Sequence, residues 1–132
     1  MKEFSLRKEE RLSRRKRIDE LFSEGHSLQT AFFRVYWICE PLRAQRLPVE
    51  VAVVVPKKKM KSAVKRNQIK RRVKEAYRLN KKELYDYLLQ RKLFMSLFFV
   101  YLDNERKSFH EIQNDLVSAL HKIIHEHEKT PR

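Results

Sequence analysis

Between Lys57 and Lys82 the chain carries thirteen lysines and arginines and a single acid, Glu75. Within this run Ile69, Val73, Ala76 and Tyr77 recur at helical spacing. The pattern predicts a long amphipathic helix from Ser62 to about Asn80. Its apolar stripe needs a packed neighbour, and its crowded cations need water or a polyanion. On a wheel of about 100° per residue, Arg66, Asn67, Lys70, Arg71, Lys74 and Arg78 fill an arc of about 140° beside that stripe. A solvated helix face ordinarily mixes signs to gain i,i+4 pairs, and this one does not. One side is therefore predicted to be covered by protein while the other presents cations and an amide to phosphates. Guanidinium groups suit that task because their fork bonds two phosphate oxygens at once.

The flanking segments supply the cover. Leu12, Ile18, Leu21 and Phe22 at helical spacing, with Gly25 as a stop, predict a short helix from Ser13 to Ser23. Phe32 to Glu40 is rich in aromatic and β-branched residues and reads as a strand. Its alternation puts Phe33, Val35 and Trp37 on one face and Arg34, Tyr36 and Ile38 on the other. Pro41 to Pro48 reads as a loop, and Val49 to Val55 as a second strand whose valines predict cover on both sides. A further helix, Lys82 to Gln90, carries Leu84, Tyr87 and Leu88. Phe94 to Leu102 follows as a strand, and Phe109 to His125 as a last helix with Ile112, Leu116, Leu120 and Ile123 at core spacing. Strand, crossover helix and later strand predict a mixed sheet in an α+β sandwich. The 132 residues suit one domain over 1–132, with 1–10 and 127–132 expected to be flexible tails.

Thirty-one Lys and Arg against seventeen Asp and Glu leave a net charge of +14, which attracts nucleic acid or an anionic membrane surface. The longest apolar stretch, Leu97 to Leu102, is far short of the roughly twenty residues of a membrane span. Met1 to Arg17 holds Glu3, Glu9 and Glu10 and no apolar centre, unlike a secretory signal, so a soluble, cytoplasmic protein is expected. Cys39 is the only cysteine, which excludes an internal disulfide, and it reads as a small buried hydrophobe. Gly25 is the only glycine, so there is no glycine-rich phosphate loop. His121, His125 and His127 have metal-ligand spacing, but no cysteine or carboxylate motif accompanies them. Asp103, Glu105, Glu111 and Asp115 read as helix-surface acids. Neither a catalytic cluster nor a metal site is expected.

The run Arg66-Asn67-Gln68-Ile69-Lys70-Arg71-Arg72-Val73-Lys74-Glu75 resembles the signature of the ribonuclease P protein family. Arg11-Leu12, Ile18, Leu21-Phe22, Gly25, Phe33 with Tyr36, and valines before Lys57-Lys58 are similar in order and spacing, over roughly residues 11 to 123. The resemblance implies an α-β-β-β-α-β-α sandwich like the second domain of ribosomal protein S5. Its four-stranded mixed sheet would hold a left-handed βαβ crossover, an exception to the usual hand. It implies catalysis by an RNA subunit using Mg2+, with no cofactor on the protein alone. The partners implied are the catalytic ribonuclease P RNA and precursor tRNA, for a monomer in a 1:1 ribonucleoprotein that removes the 5′ leader. By position, Lys57, Lys58, Arg66, Asn67, Lys70, Arg71, Lys74 and Arg78 would bind RNA, and Ile18, Phe22, Phe33, Arg34 and Tyr36 would form a leader-binding cleft. Ile18 stands where the family commonly has an aromatic ring.

Two other classes share some of these features. A structural or ribosomal RNA-binding protein would carry the same basic helix without preferring precursor over mature tRNA. A free-standing metal nuclease would depend on Asp103 or Asp115. A DNA-binding helix-turn-helix is disfavoured, because no short-turn helix pair leads into the basic helix.

Overall fold

The computed structural model describes residues 15–43 and 47–129, and side chains from Ile18 onward in the first helix. The expected tail over 1–10, the Arg11-Leu12 pair and residues 130–132 lie outside the described residues. In chain order the elements are α1 (Arg15–Glu24), β1 (His26–Gln29), β2 (Phe33–Pro41), β3 (Val49–Val54), α2 (Ala63–Asn80), α3 (Lys82–Gln90), β4 (Leu93–Tyr101) and α4 (Phe109–Lys129).

The four strands form one mixed sheet in the order β1-β2-β4-β3. β1 with β2 and β2 with β4 are antiparallel, whereas β3 and β4 are parallel neighbours joined through α2 and α3. The α+β class and the four-stranded mixed sheet are as expected. β1 was implied by the resemblance alone, since His-Ser-Leu-Gln has neither length nor apolar alternation to mark a strand. Four helices are present where the implied string has three. Buried Lys81 serves as both the C-cap of α2 and the N-cap of α3, so a second helix starts directly where the first ends.

The sheet has two unequal faces. On one, Phe33, Val35, Trp37, Val49, Val51, Leu97, Phe99 and Tyr101 join Ile69, Val73, Ala76 and Tyr77 of α2 and Ile112, Leu116, Leu120 and Ile123 of α4 in the main core. The predicted stripe of α2 is thus the buried one. On the other face Leu21 and Phe98 are buried among Ile18, Tyr36, Ile38, Ala52, Val54 and Val100. Central β4 is buried on both sides, which explains its continuous apolar run. β3 does not match its prediction. It lies at the sheet edge, and Ala52 and Val54 on the second face are only half-buried.

Gly25 is needed for space. A Cβ there would lie 2.5 Å from the Leu21 carbonyl oxygen and 3.1 Å from that of Trp37, where the end of α1 meets β2. The final helix runs to Lys129 and buries His127, so residues 127–129 are helical where a tail was expected. The Tyr87 hydroxyl lies 2.6 Å from Nδ1 of His127 and anchors this last turn.

Candidate RNA interface

Alternation along β2 and β4 carries Arg34, Tyr36 and Phe98 to the second face, where Tyr36 and Phe98 are register partners. α1 lays Phe22 across them. Its ring is 4.7 Å from that of Tyr36 and 5.3 Å from that of Phe98, edge-on to both. Although packed on one side, Phe22 remains 51% exposed. Arg34 donates from Nε to the Tyr36 hydroxyl at 3.1 Å, and its guanidinium lies 5.7 Å from the Tyr36 ring centre. The result is a shallow aromatic surface with a cation at its edge, suited to stacking unpaired bases regardless of identity.

Ile18, Phe22, Arg34 and Tyr36 therefore converge. Phe33 does not. It is fully buried on the opposite face, its ring 5.6 Å from Phe99 and 5.7 Å from Tyr101. Neighbouring residues of a strand point to opposite faces, so Phe33 cannot share a cleft with Arg34 and Tyr36. Phe98 takes that place instead. The alternation of Phe94, Ser96 and Phe98 was a signal that could have found it.

The basic helix begins after the turn Pro56–Lys59, in which Lys57 and Lys58 are exposed. Ser62 caps α2 by accepting from the Lys65 amide at 3.3 Å. Asn67, Arg71 and Lys74 are exposed and Lys70 is partly so, forming the predicted row. Two members have other partners as well. Arg66 donates from Nη1 to the Met60 and Lys61 carbonyls at 2.9 and 2.8 Å, bracing the turn. Arg78 holds Glu75 through two hydrogen bonds of 2.9 and 2.5 Å. The same pairing lowers the Glu75 pKa and raises that of Arg78. Lys59, Lys61, Lys65 and Arg106 line a cleft of about 560 Å3 beside the turn, extending the cationic surface beyond the residues picked from the sequence.

The aromatic surface and α2 lie on opposite faces of the sheet, and edge strand β3 links them. Arg34, Val100 and Val54 stand in one cross-strand row, after which the chain leaves the sheet for the Lys57–Lys59 turn. The other end of the same face is acidic. Glu40 lies opposite Phe94 there, and Glu50 accepts from the buried Ser96 hydroxyl at 2.6 Å. A polyanion on this face is thus drawn toward the Arg34 end.

Most of the carboxylates and histidines weighed as metal ligands are engaged separately. Asp115 accepts from the Thr30 hydroxyl and the amides of Ala31 and Phe32. Asp103 accepts from the Glu105 amide and lies 3.8 Å from Lys107, while Glu111 closes a capping box with Ser108. His121 lies 3.1 Å from Glu83, and His127 faces Tyr87. No group of three or more such ligands converges among the described residues. Burial pushes the Cys39 thiol up to about 12, leaving no thiolate nucleophile near neutral pH.

Fold and surface together define a basic α+β RNA-binding protein. The ribonuclease P family model matches residues 6–124. A ribonuclease P protein component of Porphyromonas gingivalis is 36% identical over 121 residues, covering 91% of this chain and 87% of that one. The solved ribonuclease P protein of Thermotoga maritima superposes with a TM-score of 0.66 at 25% identity, over 86% of this chain and 96% of that one. That of Staphylococcus aureus, at 23% identity and a TM-score of 0.65, covers 86% and 94% and shows the same fold. The chain belongs to the ribonuclease P protein family. It is the protein subunit of a ribonucleoprotein endoribonuclease and a partner of the ribonuclease P RNA.

Proposed function

We propose that the two surfaces divide the labour of tRNA 5′ processing between the RNA subunit and the precursor. Lys70, Arg71 and Lys74, with Arg66, Arg78, Lys57 and Lys58, face the RNA subunit and neutralise its phosphates, and Asn67 adds an amide donor among them. Ile18, Phe22, Arg34, Tyr36 and Phe98 hold the single-stranded leader of precursor tRNA. Ile18 packs against the Leu21 and Phe98 cluster and, lacking a ring, does not stack. Phe22 carries this reading: a half-exposed ring, edge-on to Tyr36 and Phe98, that the main core does not use.

Bond cleavage belongs to the RNA, where bound Mg2+ supplies activated water and charge neutralisation at the scissile phosphodiester. This chain contributes binding and position: stacking fixes the leader, and cations lower the repulsion between two RNA strands. One protein per RNA subunit in the cytoplasm completes the reading. Adding the chain to a bacterial ribonuclease P RNA at low magnesium should raise cleavage of a tRNA precursor, and affinity should depend on the presence of a leader. Equal binding of precursor and mature tRNA, or no enhancement of cleavage, would overturn it.

A further inference from the structure

Where α2 crosses the start of α4, Gln68, Arg71, Arg72, Glu75 and Phe109 line an open cleft of about 410 Å3. That volume falls in the lower part of the roughly 300–1,000 Å3 range of small-ligand sites. Its apolar element is Phe109, a half-buried residue packed against the main core at the first position of α4. The polar rim is held in place. Arg72 donates to the Lys107 carbonyl at 2.6 Å, Arg106 donates to Gln68, and Glu75 is fixed by Arg78. Arg71 is exposed at the mouth, continuous with the cationic row of α2.

An aromatic side chain within a pre-fixed polar rim, opening beside a phosphate-binding face, matches one occupant. We propose that this cleft takes a single unpaired nucleotide of the RNA subunit, its base against Phe109 and its phosphate on Arg71. Cations on the outer face of α2 can neutralise backbone but cannot fix register along it. A base seated at Phe109 fixes that register, because stacking requires an unpaired nucleotide at one place. Arg72, tied to the Lys107 carbonyl, keeps further N–H donors for the base edge or the sugar. The site rests on the reading that α2 faces the RNA subunit.

The test is nucleotide-resolution 2′-hydroxyl acylation of a bacterial ribonuclease P RNA, free and saturated with the chain. Wild-type protein should suppress reactivity at one unpaired site, and Phe109→Leu, which keeps an apolar plug but no ring, should restore it. Protections elsewhere should persist. Affinity should fall roughly tenfold, the loss of one stacked base. Arg71→Gln lies on the surface and cannot unfold the core, and it should weaken the same protection. Phe109→Tyr should retain it. The site is refuted if a fully formed complex shows no unpaired nucleotide sensitive to Phe109→Leu and Arg71→Gln, or if all protections weaken together. Absence of any complex with the wild-type chain would instead overturn the α2 interface, and this site with it.

Discussion

Thr30 donates its hydroxyl to the Asp115 carboxylate at 2.6 Å, joining residues 85 positions apart. The same carboxylate accepts from the Phe32 amide at 2.9 Å, so one side chain of α4 fixes the turn that sets the β1–β2 register. Replacing Asp115 by Ala removes the acceptor of the Ala31 and Phe32 amides and leaves the Thr30 hydroxyl only its longer 3.5 Å contact with the Phe33 carbonyl. Hydrogen bonds to a charged group are worth about 1.5–3 kcal/mol, so Asp115→Ala should lose roughly 2 kcal/mol, read from the denaturant midpoint. A metal-ligand role for Asp115 would instead predict unchanged stability of the metal-free protein.

The five α2 cations Arg66, Lys70, Arg71, Lys74 and Arg78 should contribute about −3.5 to the log–log salt slope of RNA binding, at roughly 0.7 per phosphate contact, with Lys57 and Lys58 steepening it further. Lys70→Ala should flatten that slope by about 0.7 and leave the melting temperature nearly unchanged. Arg66→Ala should flatten it and also lower stability, because this side chain braces the turn after β3. Arg78→Ala should do less than Lys70→Ala, its guanidinium being shared with Glu75. Arg43→Ala should do little. Salt titrations of affinity for all four variants decide the matter, and equal effects would remove the case for a patch.

Phe22 and Phe33 separate leader binding from folding. Phe22→Ala should weaken binding of leader-bearing precursor about 5- to 30-fold, with little effect on mature tRNA and only a small loss of stability. Phe33→Leu should lower stability by about 1 kcal/mol and leave leader dependence intact, since its ring lies in the core between Phe99 and Tyr101. Paired binding and unfolding measurements should show opposite patterns for the two variants.

Burial lifts the Cys39 thiol from its usual 9.0 to about 12. Above pH 9 the unfolded chain releases this proton while the folded chain keeps it. The folded state then binds more protons, and stability falls as pH rises from about 9 toward 12. Cys39→Ala should remove that part of the alkaline slope. At pH 8 the native thiol should react with a thiol reagent far more slowly than the thiol of the denatured chain.

Helix α2, its buried stripe and its cationic row were legible in the sequence because they repeat within a few residues of each other. The alternation of β2 was equally local, and a period of two already placed Phe33 and Tyr36 on different faces. Grouping them in one cleft followed the family resemblance over the pleat, and the structure corrects it. Phe98 could be read as a strand residue, but its contact with Phe22 and Tyr36 depends on the β2–β4 register. Two features needed partners distant in sequence: the β1–β2 turn, held by Asp115 of α4, and the last turn of α4, held by Tyr87 against His127. The sequence by itself determined the periodicities and the charge. Tertiary structure alone decided which sheet face stays partly open and which strand lies at the edge. Those outcomes depend on long-range burial and hydrogen bonding between segments, which no local pattern encodes.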